Sequence, residues 1–76
     1  MKNNIFQFWY ECGYRFETKI TPDKYEHMQE LNAIAQVVSG GEVGVGYCLY
    51  PANGHSIFIF KTEKEKLAFD EKILDI

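Results

Sequence analysis

The stretch FWYECGYRF, residues 8–16, decides how the first quarter of the chain folds. From residue 5 to residue 20 the even positions are mostly apolar and the odd positions mostly polar. Such alternation is typical of a half-buried antiparallel strand. One straight strand of this length would reach roughly 50 Å, whereas a folded chain of this size has a radius of gyration of about 11 Å. The segment must therefore fold back or bend.

A β-hairpin with its turn at residues 11–13 satisfies this pattern. The three-residue turn pairs Tyr10 with Tyr14 and Phe8 with Phe16, and it keeps the apolar side chains on one face. A two-residue turn would put charges on the aromatic face. The glycine of the turn stands last, where hairpin loops of this length favour a left-handed residue. A single strand bent by a β-bulge at the same glycine preserves the same faces and stays open as an alternative.

The middle of the chain predicts a helix followed by a strand. The helix, residues 21–39, begins at the capping residue Thr21 with Pro22 in its first turn, and two glycines end it. Its apolar stripe comprises Met28, Leu31, Ile34, Ala35 and Val38. The segment EVGVGYCLY, residues 42–50, alternates as a strand does, and Gly44 and Gly46 leave a strip of bare backbone on one face.

The last third predicts a second strand and a second helix. After the turn PANGH, residues 51–55, the run SIFIFK is apolar on both faces, which places this strand inside the sheet. The capping-box pair Thr62 and Glu65 begins a helix that extends to about residue 74. Its expected core anchors are Leu67, Phe69, Ile73 and Leu74. The order hairpin–helix–hairpin–helix predicts one α+β domain over residues 1–76: a four-stranded antiparallel sheet with two helices packed on one face.

Composition limits the class of protein. The chain has 76 residues, of which 46% are hydrophobic, so a packed core is expected rather than disorder. Its net charge of -3 argues against a general nucleic-acid binder, which needs a clustered positive field. No apolar run reaches the roughly 20 residues of a membrane span, and the first ten residues hold no apolar run of signal-peptide length. We expect a cytoplasmic protein that contacts no membrane.

Chemistry-bearing residues are sparse. The potential zinc ligands are Cys12, His27, Cys48 and His55. No two of them have the close spacing that zinc sites use, so neither a metal nor a cofactor is expected. The sequence shows no catalytic constellation. Activity based on Cys12 is the enzymatic alternative, but its neighbour Glu11 disfavours the thiolate. The glycines near residue 44 lie within a predicted strand rather than before a helix, so they do not form a phosphate loop.

Trp9 is the candidate binding residue. It lies on the polar face of the first segment beside Gln7, Glu11 and Arg15. Large aromatic residues near arginine are typical interface anchors. We therefore predict a protein interface with Trp9, Gln7, Glu11, Arg15 and Tyr50 as its candidate residues. The alternative for Trp9 is that it covers the glycine strip on the far side of the sheet.

The chain resembles small orphan α+β accessory proteins of tailed bacteriophages. The resemblance rests on the segments YECGY (residues 10–14), ITPDKYEHM (residues 20–28) and FIFKTEKEKLAFDEKI (residues 58–73). It is architectural, and it implies a protein that inhibits or modulates a host protein, for example in a defence system, within the host cytoplasm.

The expected function is therefore non-enzymatic binding of a host protein. One alternative is a small RNA- or single-stranded-DNA-binding module, because the run IFIF faintly resembles the aromatic strand on which RNA-recognition motifs stack bases. Another is a structural homo-oligomer, formed through a sheet edge or through the Gly44/Gly46 strip.

Overall fold

The computed structural model describes the backbone of residues 4–76 and the side chains of residues 7–76. This part of the chain is an α+β fold with three α-helices and a three-stranded antiparallel sheet of strand order β1-β3-β2. The elements are α1 (Asn4–Glu11), β1 (Phe16–Ile20), a 3₁₀-helix (Pro22–His27), α2 (Met28–Ser39), β2 (Tyr47–Ala52), β3 (His55–Phe60), α3 (Glu63–Lys72) and a final 3₁₀-turn (Ile73–Asp75).

Strand β3 lies at the centre of the sheet, which confirms the prediction from its doubly apolar sequence. Residues 57–60 are all buried, with the two phenylalanines on one face and the two isoleucines on the other. Asn53 and Gly54 form a two-residue turn between β2 and β3, with φ angles of 53° and 80°. Positive φ at both positions is the type I′ geometry that Asn-Gly favours, so the turn is tighter than the five residues predicted.

Helices α2 and α3 pack on the same face of the sheet. The ring of Phe69 from α3 lies 4.9 Å from that of Phe58 and 5.1 Å from that of Phe60. From α2, Leu31 and Ala35 are fully buried in the same cluster, as their stripe predicts. Two of the predicted α3 anchors are wrong: Leu67 and Leu74 are 55% and 80% exposed. Two residues along a helix is a rotation of about 200°, so a helix that buries Phe69 turns residue 67 to solvent.

The predicted N-terminal hairpin is wrong. Residues Asn4–Glu11 form the helix α1, so the fourth strand is not found among residues 4–76. The predicted pairs Tyr10/Tyr14 and Phe8/Phe16 do not form, because Phe16 begins a strand that pairs with β3 instead. An eight-residue apolar segment fits a 3.6-residue period as well as a period of two, and here tertiary packing favours the helix. The side chains of residues 4–6 lie outside the described part of the chain.

Helix α1 covers the opposite face of the sheet from α2 and α3. The chain turns between Tyr14 and Phe16, so that Tyr14 joins Cys48, Tyr50, Ile57 and Ile59 in a second buried cluster. Trp9 packs against this cluster from α1. The sheet therefore separates two apolar clusters.

The predicted strand over residues 42–50 begins only at Tyr47. Gly44 has φ +89°, which strand geometry does not allow. A Cβ atom placed on Gly46 would lie 2.8 Å from the backbone nitrogen of Gly41, so the two glycine backbones are in direct contact. The predicted strip of bare backbone is therefore not an open surface, because Gly46 is buried in a loop that packs on the end of α2.

Candidate protein-binding surface on the first helix

A Schellman motif fixes where α1 ends. The amide N–H of Tyr14 donates to the carbonyl of Trp9 over 3.0 Å, and that of Gly13 donates to the carbonyl of Tyr10 over 3.1 Å. Gly13 has φ +105°, the positive value that the residue after such a helix end requires. The glycine was correctly predicted to be left-handed, but it ends a helix rather than a hairpin loop.

The motif also carries its characteristic apolar contact. The rings of Trp9 and Tyr14 meet edge to face, with centroids 5.7 Å apart and planes at 87°. Trp9 is the third residue from the end of the helix, and Tyr14 is the second residue after the C-cap residue Cys12; side chains at these two positions commonly touch in this motif. Trp9 thus fixes α1 against Tyr14, and through Tyr14 against the sheet.

The side chains around Trp9 divide the outer surface of α1. Because successive helical residues are about 100° apart, Phe8 and Tyr10 lie on the two flanks of the helix. They are 57% and 41% exposed. Gln7 and Glu11 lie between these flanks on the solvent side, where the Gln7 amide donates to the Glu11 carboxylate over 3.0 Å. The helix therefore presents a polar ridge with an aromatic ring on either side.

Arg15 extends the Tyr10 flank beyond the helix. Its guanidinium carbon lies 4.5 Å from the centre of the Tyr10 ring, within the range of a cation–π interaction. Arg15 is itself exposed, so the charge stays accessible beside the ring. We call the exposed group Gln7, Phe8, Tyr10, Glu11 and Arg15 the α1 surface.

Four of the five predicted interface residues meet at α1. Gln7, Glu11 and Arg15 belong to the α1 surface, and Trp9 is half-buried beneath it. Tyr50 does not join them, because it is only 4% exposed on β2 and its hydroxyl donates to Glu17 over 2.6 Å. Burial, and then the adjacent Glu17 carboxylate, raise the pKa of Tyr50.

Trp9 does not cover the sheet glycines. Among the described residues, and apart from its chain neighbours, no atom lies within 4 Å of a Cβ position on Gly44, and the atoms nearest to that position on Gly46 belong to Ser39 and Gly41. The ring of Trp9 instead contacts Tyr14 and Phe8, with a centroid distance of 4.8 Å to the latter.

Within the α1 surface, Phe8 and Tyr10 are the two residues that the alternating pattern places on the apolar face of a strand. The signal that could have found them is the glycine at position 13 considered as a helix end. It implies a helix ending near residue 11, in which residues 8, 9 and 10 point in three directions. An alternating pattern treats residues 8 and 10 as equivalent, whereas a helix separates them by about 200°.

Two free thiols and the buried phenol of Tyr14 lie near α1. Cys12 is an exposed free thiol, and burial raises the pKa of the free thiol of Cys48. The hydroxyl of Tyr14 donates to the carbonyl of Val45 over 3.0 Å. Burial, followed by the nearby Cys48, raises the pKa of Tyr14 to about 12. Both groups are thus held in their protonated forms at neutral pH, in which they are poor nucleophiles.

The described part of the chain contains neither a candidate metal site nor a candidate membrane span. No cluster of three His, Cys, Asp or Glu side chains there could bind a metal ion. No helix formed by residues 4–76 has the length and apolar character needed to cross a bilayer. Comparison with known protein families, with curated proteins and with solved structures finds no match to this chain.

Proposed function

We propose that the protein is a non-enzymatic protein-binding module whose contact surface is the α1 surface. The observation that supports this proposal is the exposure of Phe8 and Tyr10 on a helix that the Trp9–Tyr14 contact holds in place. Tyrosine, tryptophan and arginine are the residues that most often dominate binding energy at protein interfaces. A rigid aromatic surface also loses little conformational entropy when a partner binds.

The class of partner that we propose is a host protein, and the site of action is the host cytoplasm. The support is the resemblance to accessory proteins of tailed bacteriophages, which implies an inhibitor or modulator, including one of a defence system. The α1 surface suits a mixed interface, because aromatic rings flank a polar ridge that holds one carboxylate and lies beside one guanidinium. Apolar anchors with a polar rim are the usual anatomy of such contacts.

Base stacking on β3 receives no support from the positions of its rings. Phe58 and Phe60 are fully buried beneath α3, so neither ring offers a face to a nucleotide. We therefore do not propose nucleic-acid binding.

Affinity capture with matched variants tests the proposal. Tagged wild type, Phe8→Ala, Tyr10→Ala and Tyr25→Ala are each incubated with bacterial lysate, and the retained proteins are quantified by mass spectrometry. Tyr25 is the control, because it is 38% exposed, close to the 41% of Tyr10, but contacts the β2–β3 turn at the far end of the sheet. We expect one protein to be retained by wild type and Tyr25→Ala and to be lost from both α1 variants. Equal retention by all four proteins would refute the role of the α1 surface.

A further inference from the structure

A groove of about 480 Å³ runs between α2 and α3, on the opposite side of the sheet from α1. Its apolar lining consists of Val37, which is 75% exposed, together with Val38 and Ala68, and two lysines border it on α3. Lys64, Ala68 and Lys72 are spaced four residues apart and so follow one side of the helix. The small side chain of Ala68 between two long ones creates the depression. We call these residues the basic groove.

The two lysines at this groove carry uncompensated charge. Lys66 forms an ion pair with Asp70, but Lys64 and Lys72 form none with the side chains of residues 7–76. They lie eight residues apart, which is about 12 Å along the helix axis. At one end, a carboxylate oxygen of Glu65 is buried without a hydrogen-bond partner in the described part of the chain. Lys64 and Lys72 favour an occupant with an apolar group between two carboxylates, and the Glu65 oxygen favours a hydrogen-bond donor at that end of the occupant.

Helix α3 itself carries such a pattern of carboxylate, apolar and carboxylate side chains, at positions one residue before those of the groove. Glu63, Leu67 and Glu71 follow the adjacent side of α3 with the same four-residue spacing, and all three are exposed. Leu67 is 55% exposed, and Leu74, seven residues further, extends the same side and is 80% exposed. We call Glu63, Leu67 and Glu71 the acidic stripe. The acidic stripe lies on α3, and the same helix forms one wall of the basic groove, so this part of the surface is complementary to itself.

We propose that the basic groove binds the acidic stripe of a second copy of this chain, so that two α3 helices pack in parallel around a two-fold axis. In this arrangement Glu63 faces Lys64 of the second copy, Leu67 faces its Ala68, and Glu71 faces its Lys72. Facing positions differ by one residue, which is an axial offset of only about 1.5 Å. The two-fold axis repeats every contact in the opposite direction, as an isologous interface requires.

The size of the contact predicts a weak dimer. Helix α3 has ten residues and is therefore only about 15 Å long. Such a contact buries less than the roughly 1,200 Å² of stable interfaces, so we expect a Kd on the order of 0.1 mM. The four ion pairs are exposed, so their contribution should decrease as salt is added. The dimer leaves the α1 surface free, because α1 lies on the other face of the sheet.

Charge reversal with complementation tests the dimer. One variant combines Lys64→Glu with Lys72→Glu and reverses the groove, and the other combines Glu63→Lys with Glu71→Lys and reverses the stripe. Sedimentation equilibrium up to about 1 mM should show wild-type dimers and at least a tenfold higher Kd for each variant alone. An equimolar mixture of the two variants should form a heterodimer, because every facing pair then has opposite charge. Circular dichroism of each variant confirms that it is folded.

A charge-matched variant serves as the control. Lys19→Glu with Lys24→Glu makes the same change of charge away from α3 and should leave the dimer intact. Wild type that remains monomeric at millimolar concentration would overturn the proposal, as would a mixture that fails to associate. If wild type is monomeric but binds an unrelated acidic helical peptide through Lys64 and Lys72, the groove serves a different protein and the dimer is refuted.

Discussion

The contact between the backbones of Gly41 and Gly46 makes a sharp prediction about stability. Replacing Gly46 with alanine adds one methyl group that would lie 2.8 Å from the nitrogen and 2.9 Å from the Cα of Gly41. It would also collide with the hydroxyl of Ser39. Gly46 does not have a positive φ angle, so the effect of the substitution is steric rather than conformational.

The magnitude follows from which neighbours can move. The Ser39 hydroxyl can rotate away, at the loss of its 3.2 Å hydrogen bond to the carbonyl of Gly41, which contributes about 1 kcal/mol. The backbone of Gly41 cannot rotate away, so the loop must separate from the end of α2, and overpacking of this kind costs about 1–3 kcal/mol. We therefore expect Gly46→Ala to lower the free energy of unfolding by about 2–4 kcal/mol.

Urea denaturation followed by circular dichroism measures the effect. The matched control is Gly44→Ala, where no non-neighbouring atom of the described part of the chain lies within 4 Å of the new Cβ but φ is +89°, so backbone strain alone should cost about 1–2 kcal/mol. In a Ser39→Ala background the hydroxyl is already absent. There Gly46→Ala should lower the free energy of unfolding by about 1 kcal/mol less than in wild type, because only the contact with the Gly41 backbone remains. If Gly46→Ala is no more destabilising than Gly44→Ala, the backbone contact is not as described.

Three further predictions concern the glycine that ends α1, the core anchors of α3 and the buried phenol of Tyr14. Gly13→Ala should lower the free energy of unfolding by about 1–2 kcal/mol, measured by thermal denaturation, because alanine is strained at φ +105°; an unchanged stability would contradict the Schellman motif. At micromolar concentration, Leu67→Ala should change stability by less than about 0.5 kcal/mol and Phe69→Ala should lower it by about 3–5 kcal/mol; the reverse order would restore Leu67 as a core anchor. Because the pKa of Tyr14 is about 12 rather than 10, its contribution to stability is complete below pH 10 and is lost as the pH rises towards 12. Urea titrations at several alkaline pH values should therefore show a shallower decline for Tyr14→Phe than for wild type, and identical slopes would refute this contribution.

Much of the middle and end of the chain could be predicted because several local signals agree there. The predicted helix over residues 21–39 is wrong in its first part, because Pro22–His27 form a 3₁₀-helix, Thr21 makes no side-chain capping bond, and the α-helix begins only at Met28. In α2 the apolar spacing and the glycine at position 40 indicate the same helix, and that glycine ends it in the left-handed conformation. At α3 the Thr62 hydroxyl accepts from the amide of Glu65, the first half of the predicted capping box. The doubly apolar run of β3 indicates a central strand, which it is.

The first segment could not be predicted from periodicity alone. Apolar side chains at nearly every position from 5 to 10 satisfy both a strand and a helix, and the alternation of the strand residues 16–20 continues backwards across Gly13. What distinguishes the two structures is a tertiary fact: Tyr14 enters the cluster on one face of the sheet and Ile20 the cluster on the other. Because the first segment is a helix, the set of residues exposed on it differs from the predicted set. Trp9 is half-buried beneath the α1 surface, whereas Phe8 and Tyr10, which the strand pattern places in the core, are exposed.

The central position of β3 restricts how such a chain can change over evolutionary time. Its residues alternate between the two apolar clusters, so the loss of one residue within Ile57–Phe60 would send phenylalanines to the side of α1 and isoleucines to the side of α2 and α3. Both clusters would then be mispacked at once, and no single compensating substitution could repair them. Substitutions can accumulate in this strand, but changes of length should be confined to exposed turns such as Asn53–Gly54. Distant relatives of this protein should therefore differ in the length of their loops while retaining the number of residues between that turn and α3.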